Sequence, residues 1–193
     1  MEAAKLNPIS FRNRIHPWMF ALWVSFASII MMFGALTSAY IVKSAAGDWL
    51  EFPIPTYFFM STSLLIISSI TLHVSYISFK KQNEYLYKLL LPVSFILGIA
   101  FVVLQYYGWQ EMFAMGVDLK AHVSGSFFYL ISGLHAAHIL GGVAAISVAI
   151  IHAFSLPFIV TEKRKLRFRL VLHYWHFVDI LWIYLFVFLL LVK

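Results

Sequence analysis

The sequence predicts an all-α integral membrane protein, a bundle of five transmembrane helices with its N-terminus inside and its C-terminus outside. Three observations carry that expectation. Of 193 residues, 62% are hydrophobic and only 11% are charged, which leaves too few polar side chains to cover a water-soluble globule. Five runs are almost free of Lys, Arg, Asp and Glu, and each exceeds the ~20 residues that cross ~30 Å of hydrocarbon as a helix. The basic residues are also lopsided: of 14 Lys and Arg, all but Lys43, Lys120 and Lys193 fall on one side of those runs. In membrane proteins that side is the cytoplasm.

The first run, 19–42, follows Lys5, Arg12 and Arg14 and ends at Lys43. Residues 1–18 lack an apolar stretch followed by a small-residue cleavage site, so this run is expected to stay in the membrane as a helix. The second, 57–79, begins beside Trp49 and Tyr57 and stops at Lys80 and Lys81. The third, 89–110, starts after Lys88 and closes on Tyr106, Tyr107 and Trp109, amphipathic rings suited to headgroup depth. The fourth, 126–154, carries Gly133, Ala137, Gly141 and Ala145 at four-residue spacing, a small-residue stripe that lets another helix approach closely; Gly34 and Ser38 repeat the spacing in the first run. The fifth, 170–192, follows Lys163, Arg164, Lys165, Arg167 and Arg169. Connections are short, and no soluble domain, repeat or low-complexity tract interrupts residues 1–193, so one bundle of sequentially packed helices is expected.

The net charge of +6 and pI of 9.6 belong to membrane orientation here, and no nucleic-acid partner is expected. The five basic residues from Lys163 to Arg169 are candidates for contact with lipid headgroups, since each Lys or Arg gains ~1 kcal/mol at an anionic surface. With no cysteine in the chain, disulfides, thiolate metal sites and covalent c-type haem are excluded, and any metal would depend on His.

Asp179 is the single acidic residue in the interior of a predicted span, and such a charge is costly enough to be informative. His176 precedes it by three residues, and His135 and His138 repeat that spacing on the fourth helix. His135 and His138 share a face and cannot sandwich a haem, which needs ligands from opposite sides. His73 and His176, both roughly 9 Å from the inner helix ends, are a geometrically allowed cross-helix pair. Zinc or copper would find two His plus Asp179 where a site wants three or four donors. A lone carboxylate does not make a transmembrane proton relay. The expectation that competes with these is a polar clasp, in which His138, His176 and Asp179, with His135 beside them, hydrogen-bond across the fourth and fifth helices.

The run Tyr174-Trp175-His176-Phe177-Val178-Asp179-Ile180-Leu181-Trp182 closely resembles the last-helix signature of haem-copper oxidase subunit III. Gly133-Leu134-His135-Ala136-Ala137-His138 resembles the fourth-helix segment of the same family, and Gly98, Phe101 and Gln105 stand at its third-helix spacing. Met31, Met32, Phe33 and Tyr40 look like the helix that packs beside the catalytic subunit. The similarity runs from Phe20 to the end and is closest to the short, five-helix bacterial form.

The resemblance implies a non-catalytic subunit of a bacterial terminal oxidase in the cytoplasmic (inner) membrane. It implies haems and copper held by partner subunit I, contacts with subunit II and small subunits, and structural phospholipid. Family members are linked to proton uptake and oxygen access. Two departures stand out: Ile29 and Gly108 occupy positions where relatives often carry an acid, which leaves a direct proton-transfer role unsupported. A haem-b membrane anchor and an accessory subunit of a nitric oxide reductase stay open as alternatives. The electron donor, cytochrome c or quinol, the haem type and membership of a larger respiratory assembly are not encoded in this chain.

Overall fold

Helix boundaries in this chain are set by caps as much as by hydrophobicity. The computed structural model describes residues 16–45, 47, 49–50, 52–117 and 122–192. Five helices follow in order: α1 (Pro17–Ser44), α2 (Thr56–Lys80), α3 (Glu84–Ala114), α4 (Val123–Ser155) and α5 (Glu162–Leu191). All five are long and apolar enough to cross a membrane. The apolar runs fall within them except at Val192, which follows α5, and several helices extend beyond their runs. The largest extension is in α5, where Thr161 accepts a hydrogen bond from the Arg164 amide at 3.3 Å and Glu162 stands in the first turn. Asn83 caps α3 the same way, accepting from Leu86 N at 3.2 Å. Both satisfy orphan amides at the helix start, so the charged residues that follow join the helix.

The turn between α2 and α3 is tight. Gln82 sits at φ 59°, with Gln82 N donating to Phe79 O and Asn83 N to Ser78 O, the paired bonds of a left-handed helix stop. Gly116 closes α3 with the same pair of bonds, Gly116 N to Phe113 O and Val117 N to Met112 O, at φ 83°. Glycine suits that backbone at no steric cost; Gln82 does not.

Helices α2, α3, α4 and α5 form a closed ring in chain order, with α5 returning to α2, and α1 leans against α4 and α5 from outside. Ser61, Ser68 and Ser75 lie fully buried along α2, and their seven-residue spacing brings the same face back to α3 every two turns. Ser68 donates to the Ser94 carbonyl at 2.9 Å, Ser75 to the Tyr87 carbonyl at 3.2 Å, and Gln105 Nε2 to Ser61 Oγ at 3.2 Å. Each such bond contributes roughly 0.6 kcal/mol in a membrane bundle, and their small side chains permit the close approach.

Trp175 is the central wedge of the ring. A Cβ on Gly98 of α3 would lie 2.8 Å from its Cη2, and one on Gly142 of α4 would lie 2.7 Å from its Cε3. The indole therefore fills the space that two glycines leave on neighbouring helices. The stripe predicted from sequence is displaced from this interface: a Cβ on Gly133 would meet nothing within 4 Å, and Ala137 and Gly141 are exposed. Gly142, one position along, is the close-packing residue.

Candidate functional site

The antiparallel pairing of α4 and α5 stacks the buried polar groups in layers. At one level Tyr174 of α5 donates its hydroxyl to the His138 carbonyl of α4 at 3.0 Å. Further along, His135 stacks on Trp182, ring centroids 4.8 Å apart, and meets the Phe33 and Phe101 rings edge-on. Trp182 Nε1 in turn donates to Thr62 Oγ1 of α2 at 2.9 Å. Trp109 Nε1 donates to Ser132 Oγ at 3.0 Å, and Tyr129 O–H reaches the Trp109 and Val117 carbonyls, tying α3 to α4 at the far end.

This geometry rearranges the expected clasp. His138 Nδ1 is bonded to the Leu134 carbonyl of its own helix at 2.7 Å, and its ring faces Phe33 of α1. His176 turns to α2 instead, where its Nδ1 is in hydrogen-bond contact with Ser69 and its Nε2 lies 3.1 Å from His73 Nδ1. Asp179 is buried with Ser69 beside its carboxyl, although neither oxygen closes a hydrogen bond of ordinary geometry. The cause is angular: three residues turn an α-helix by ~300°, so partners at i and i+3 diverge by ~60° around the axis. On α4 that divergence is enough to send His135 into the ring and His138 toward α1. The polar ties of α5 thus run from Tyr174 to α4, from His176 and Trp182 to α2, and from Tyr184 to Thr37 of α1.

The His73–His176 pair considered from sequence does form. Its rings are in direct contact, which leaves no room between them for a porphyrin and its iron. Among the described residues no three His, Cys, Asp or Glu side chains converge in a way that could hold a metal. Ile29 is half-buried and packs against the core. A Cβ at Gly108 would stand 2.7 Å from Phe58 Cε2, so the space an acid would need there is filled by a ring.

Among the remaining signature residues Gly133 has open space where a Cβ would stand, and the others are covered in whole or in part. Trp175, Trp182 and Gln105 are fully buried, and Tyr174 is half-buried with its hydroxyl engaged. Sequence reasoning missed Ser69, Thr62 and Gly142, the neighbours that determine where His176, Trp182 and Trp175 go. For Ser69 the available signal was the polar face of α2.

Two grooves open on the surface. One of about 430 Å³ runs between the ends of α4 and α5, with apolar walls from Ala145, Ala149, Leu170 and Val171 and with Arg164, Arg167 and His152 among its lining. Within the basic run, Arg164 donates to the Pro157 and Ile159 carbonyls and Lys165 pairs with Glu162 at 2.8 Å. Lys163, Arg167 and Arg169 are exposed. The second groove, of about 300 Å³, lies between α1 and α5 and is lined by Ile30, Phe33, Gly34, Phe177, Ile180, Leu181 and Tyr184. α1 itself buries Met19, Phe33, Thr37 and Tyr40 and exposes large apolar side chains including Trp18, Phe20, Trp23 and Met31.

Comparison with known proteins places this architecture. The profile of the family described as Cytochrome c oxidase subunit III matches residues 19–192. The chain is 30% identical over 166 residues to the cytochrome c oxidase subunit 3 of Corynebacterium diphtheriae, covering 82% of this chain and 80% of that one. It is 29% identical over 170 residues to a probable cytochrome c oxidase subunit 3 of Mycobacterium tuberculosis (strain ATCC 25618 / H37Rv), covering 86% and 82%. To the cytochrome bo(3) ubiquinol oxidase subunit 3 of Buchnera aphidicola it is 26% identical over 174 residues, covering 88% and 91%. A multi-pass helical bundle with this signature and these relatives belongs to the haem-copper oxidase subunit III family.

Proposed function

We propose that the chain is the non-catalytic subunit of a bacterial terminal oxidase, stabilising a partner subunit I that carries the haems and copper and reduces oxygen to water. The observation that carries this reading is the division of labour between the ring and α1. Inside the ring the polar groups serve helix packing: Tyr174, Trp182, Gln105 and the α2 serines bond to neighbouring helices, and His135 is walled in by aromatic rings. Outside it, α1 carries a long apolar face that its own chain leaves bare. An apolar face needs no cover in lipid, so the pointer is that α1 touches only α4 and α5 and buries fewer residues than the other described helices; it is the surface left to pack against subunit I, with subunit II and small subunits nearby.

The same reading places the chain in the bacterial cytoplasmic membrane, with the Lys80, Lys81 and Lys163–Arg169 side inward. The groove between α4 and α5 suits a phospholipid, its apolar walls taking an acyl chain and Arg167 standing near the phosphate. The named relatives include a cytochrome c oxidase and a ubiquinol oxidase subunit, so the donor is left to the partner subunits.

Purification through a tag on this chain in mild detergent tests the proposal. A haem-containing, oxygen-consuming complex is expected. Charged substitutions at Trp23 and Met31 should release the chain from it without altering the haem spectrum of what remains. Recovery of the intact chain with no haem-copper partner would defeat the proposal.

A further inference from the structure

Three helical glycines of this bundle carry aromatic rings. A Cβ on Gly98 would stand 2.8 Å from Trp175 Cη2, one on Gly142 2.7 Å from Trp175 Cε3, and one on Gly108 2.7 Å from Phe58 Cε2. Glycine weakens a helix interior, and in each of these places the space it leaves is filled by a ring of the chain itself. Gly34 of α1 is different, because nothing lies within 4 Å of its Cβ position. It forms part of the wall of the groove between α1 and α5, with Ile30 and Phe33 on its own helix and Phe177, Ile180 and Tyr184 opposite. Gly133 has the same open space but borders neither of the two grooves.

The groove is short, deep in the membrane and apolar. Its walls run from residue 30 to 34 of α1 and from 177 to 184 of α5, about 6 and 10 Å of helix. An acyl chain spans a leaflet of about 15 Å, half of the hydrocarbon, and would overrun such a space. Ile180 lies about 15 Å along α5 from Leu170, where the apolar run begins, so the groove sits near the middle of the bilayer and away from any headgroup. The single hydroxyl on its wall is already engaged: Thr37 Oγ1 donates to the Phe33 carbonyl at 3.0 Å, which leaves the Tyr184 O–H to donate to Thr37 Oγ1 at 3.4 Å.

We propose, resting on the reading of α1 as the face toward subunit I, that this groove is a socket for one aromatic side chain carried by a transmembrane helix of that subunit. The groove is continuous with the bare face of α1, since Ile30 lines it and Met31 beside it is exposed. Its volume of about 300 Å³ admits a single ring side chain. Gly34 offers that ring a stretch of bare helix backbone, as Gly142 does for Trp175, and Phe33 and Phe177 flank it with rings for edge or offset contacts. In lipid, helices associate through close packing of this kind, and a large side chain seated in a pocket is the usual anchor of an interface.

The test uses the complex that co-purifies with the full chain. Haem per chain should fall roughly tenfold in Gly34→Phe, whose own ring occupies the socket, as expected for overpacking a filled site, and by less in Gly34→Ala. Ser63→Phe adds a ring to an exposed position of α2, a helix that α1 does not touch, and should retain haem like the parent. A diazirine analogue of leucine in place of Ile180, exposed on the groove wall, should form an adduct on illumination. Mass spectrometry should map it beside an aromatic residue in a transmembrane segment of the haem-carrying chain. Full haem in Gly34→Phe would overturn the proposal, and so would an adduct found only on lipid or on another chain. The cross-link keeps Gly34, so it decides the matter even if Gly34→Phe fails to fold. A parent complex without haem would defeat the oxidase assignment and the socket together, whereas haem in the parent with either adverse result defeats the socket alone.

Discussion

Replacing Gly142 with Ala tests whether Trp175 is a rigid wedge or an adaptable filler. The new methyl would stand 2.7 Å from Trp175 Cε3, 2.8 Å from Cζ3 and 3.2 Å from Tyr174 Cε1. Carbon atoms prefer about 3.5–4.0 Å, so α4 and α5 would have to part by about 1 Å or the indole would have to move. The indole has no free direction: it is fully buried, and its Cη2 already lies 2.8 Å from where a Gly98 Cβ would be. Such overpacking costs about 1–3 kcal/mol. Against it stands the helix preference of Ala over Gly, about 1 kcal/mol.

Gly133→Ala carries the second effect without the first, because nothing lies within 4 Å of its Cβ position. The difference between the two alanines therefore isolates the steric contribution, about 2 kcal/mol with Gly142→Ala the less stable. Thermal or detergent-titrated unfolding of the purified chain measures it, with tryptophan fluorescence reporting the wedge directly. Trp175→Phe added to Gly142→Ala should recover part of the loss, since the smaller ring vacates the contested space. Equal stability of Gly142→Ala and Gly133→Ala would refute the wedge.

Other outcomes follow from the same geometry. Gln82→Gly should stabilise the chain by about 1 kcal/mol in the same unfolding assay, because Gln82 holds a left-handed backbone that glycine adopts freely. Tyr174→Phe should cost about 1 kcal/mol, as it removes the hydroxyl that reaches the His138 carbonyl while keeping the ring. Arg167→Gln should lower the phospholipid that co-purifies with the complex, measured by phosphorus content per chain, and leave the fold unchanged. Because the chain has no cysteine, Lys81→Cys and Lys43→Cys give clean single-site labels; a membrane-impermeant maleimide should reach position 43 from outside and position 81 only after the cells are opened.

The five spans were legible because hydrocarbon demands about 20 uncharged residues in a row, and few other constraints produce that pattern. Helix ends were less so. The start of α5 lies at Glu162 while the apolar run begins at 170, since Thr161 caps a turn of charged residues that hydropathy alone discards. The polar site was legible in part. Asp179 and His176 stood out as costly groups in lipid, but their neighbours depended on rotation about each helix axis, which spacing within one helix does not give. His138 illustrates this: it shares a spacing with His135, yet the two rings face different helices. Gly142 was overshadowed by a regular stripe one residue away. The seven-residue recurrence of Ser61, Ser68 and Ser75 was present in the sequence throughout and marks the face that α3 occupies.

Trp175 also bears on the order in which the bundle is built. Helices α2 and α3 are joined by a tight turn and matched by their serines, so they can pair as a hairpin soon after both enter the membrane. The slot for Trp175 is different, because one wall is Gly98 and the other Gly142. It exists only once α3 and α4 lie side by side. The indole of α5 therefore fits a bundle in which α3 and α4 are paired in this register, and a shift of either glycine would set a side chain against the ring.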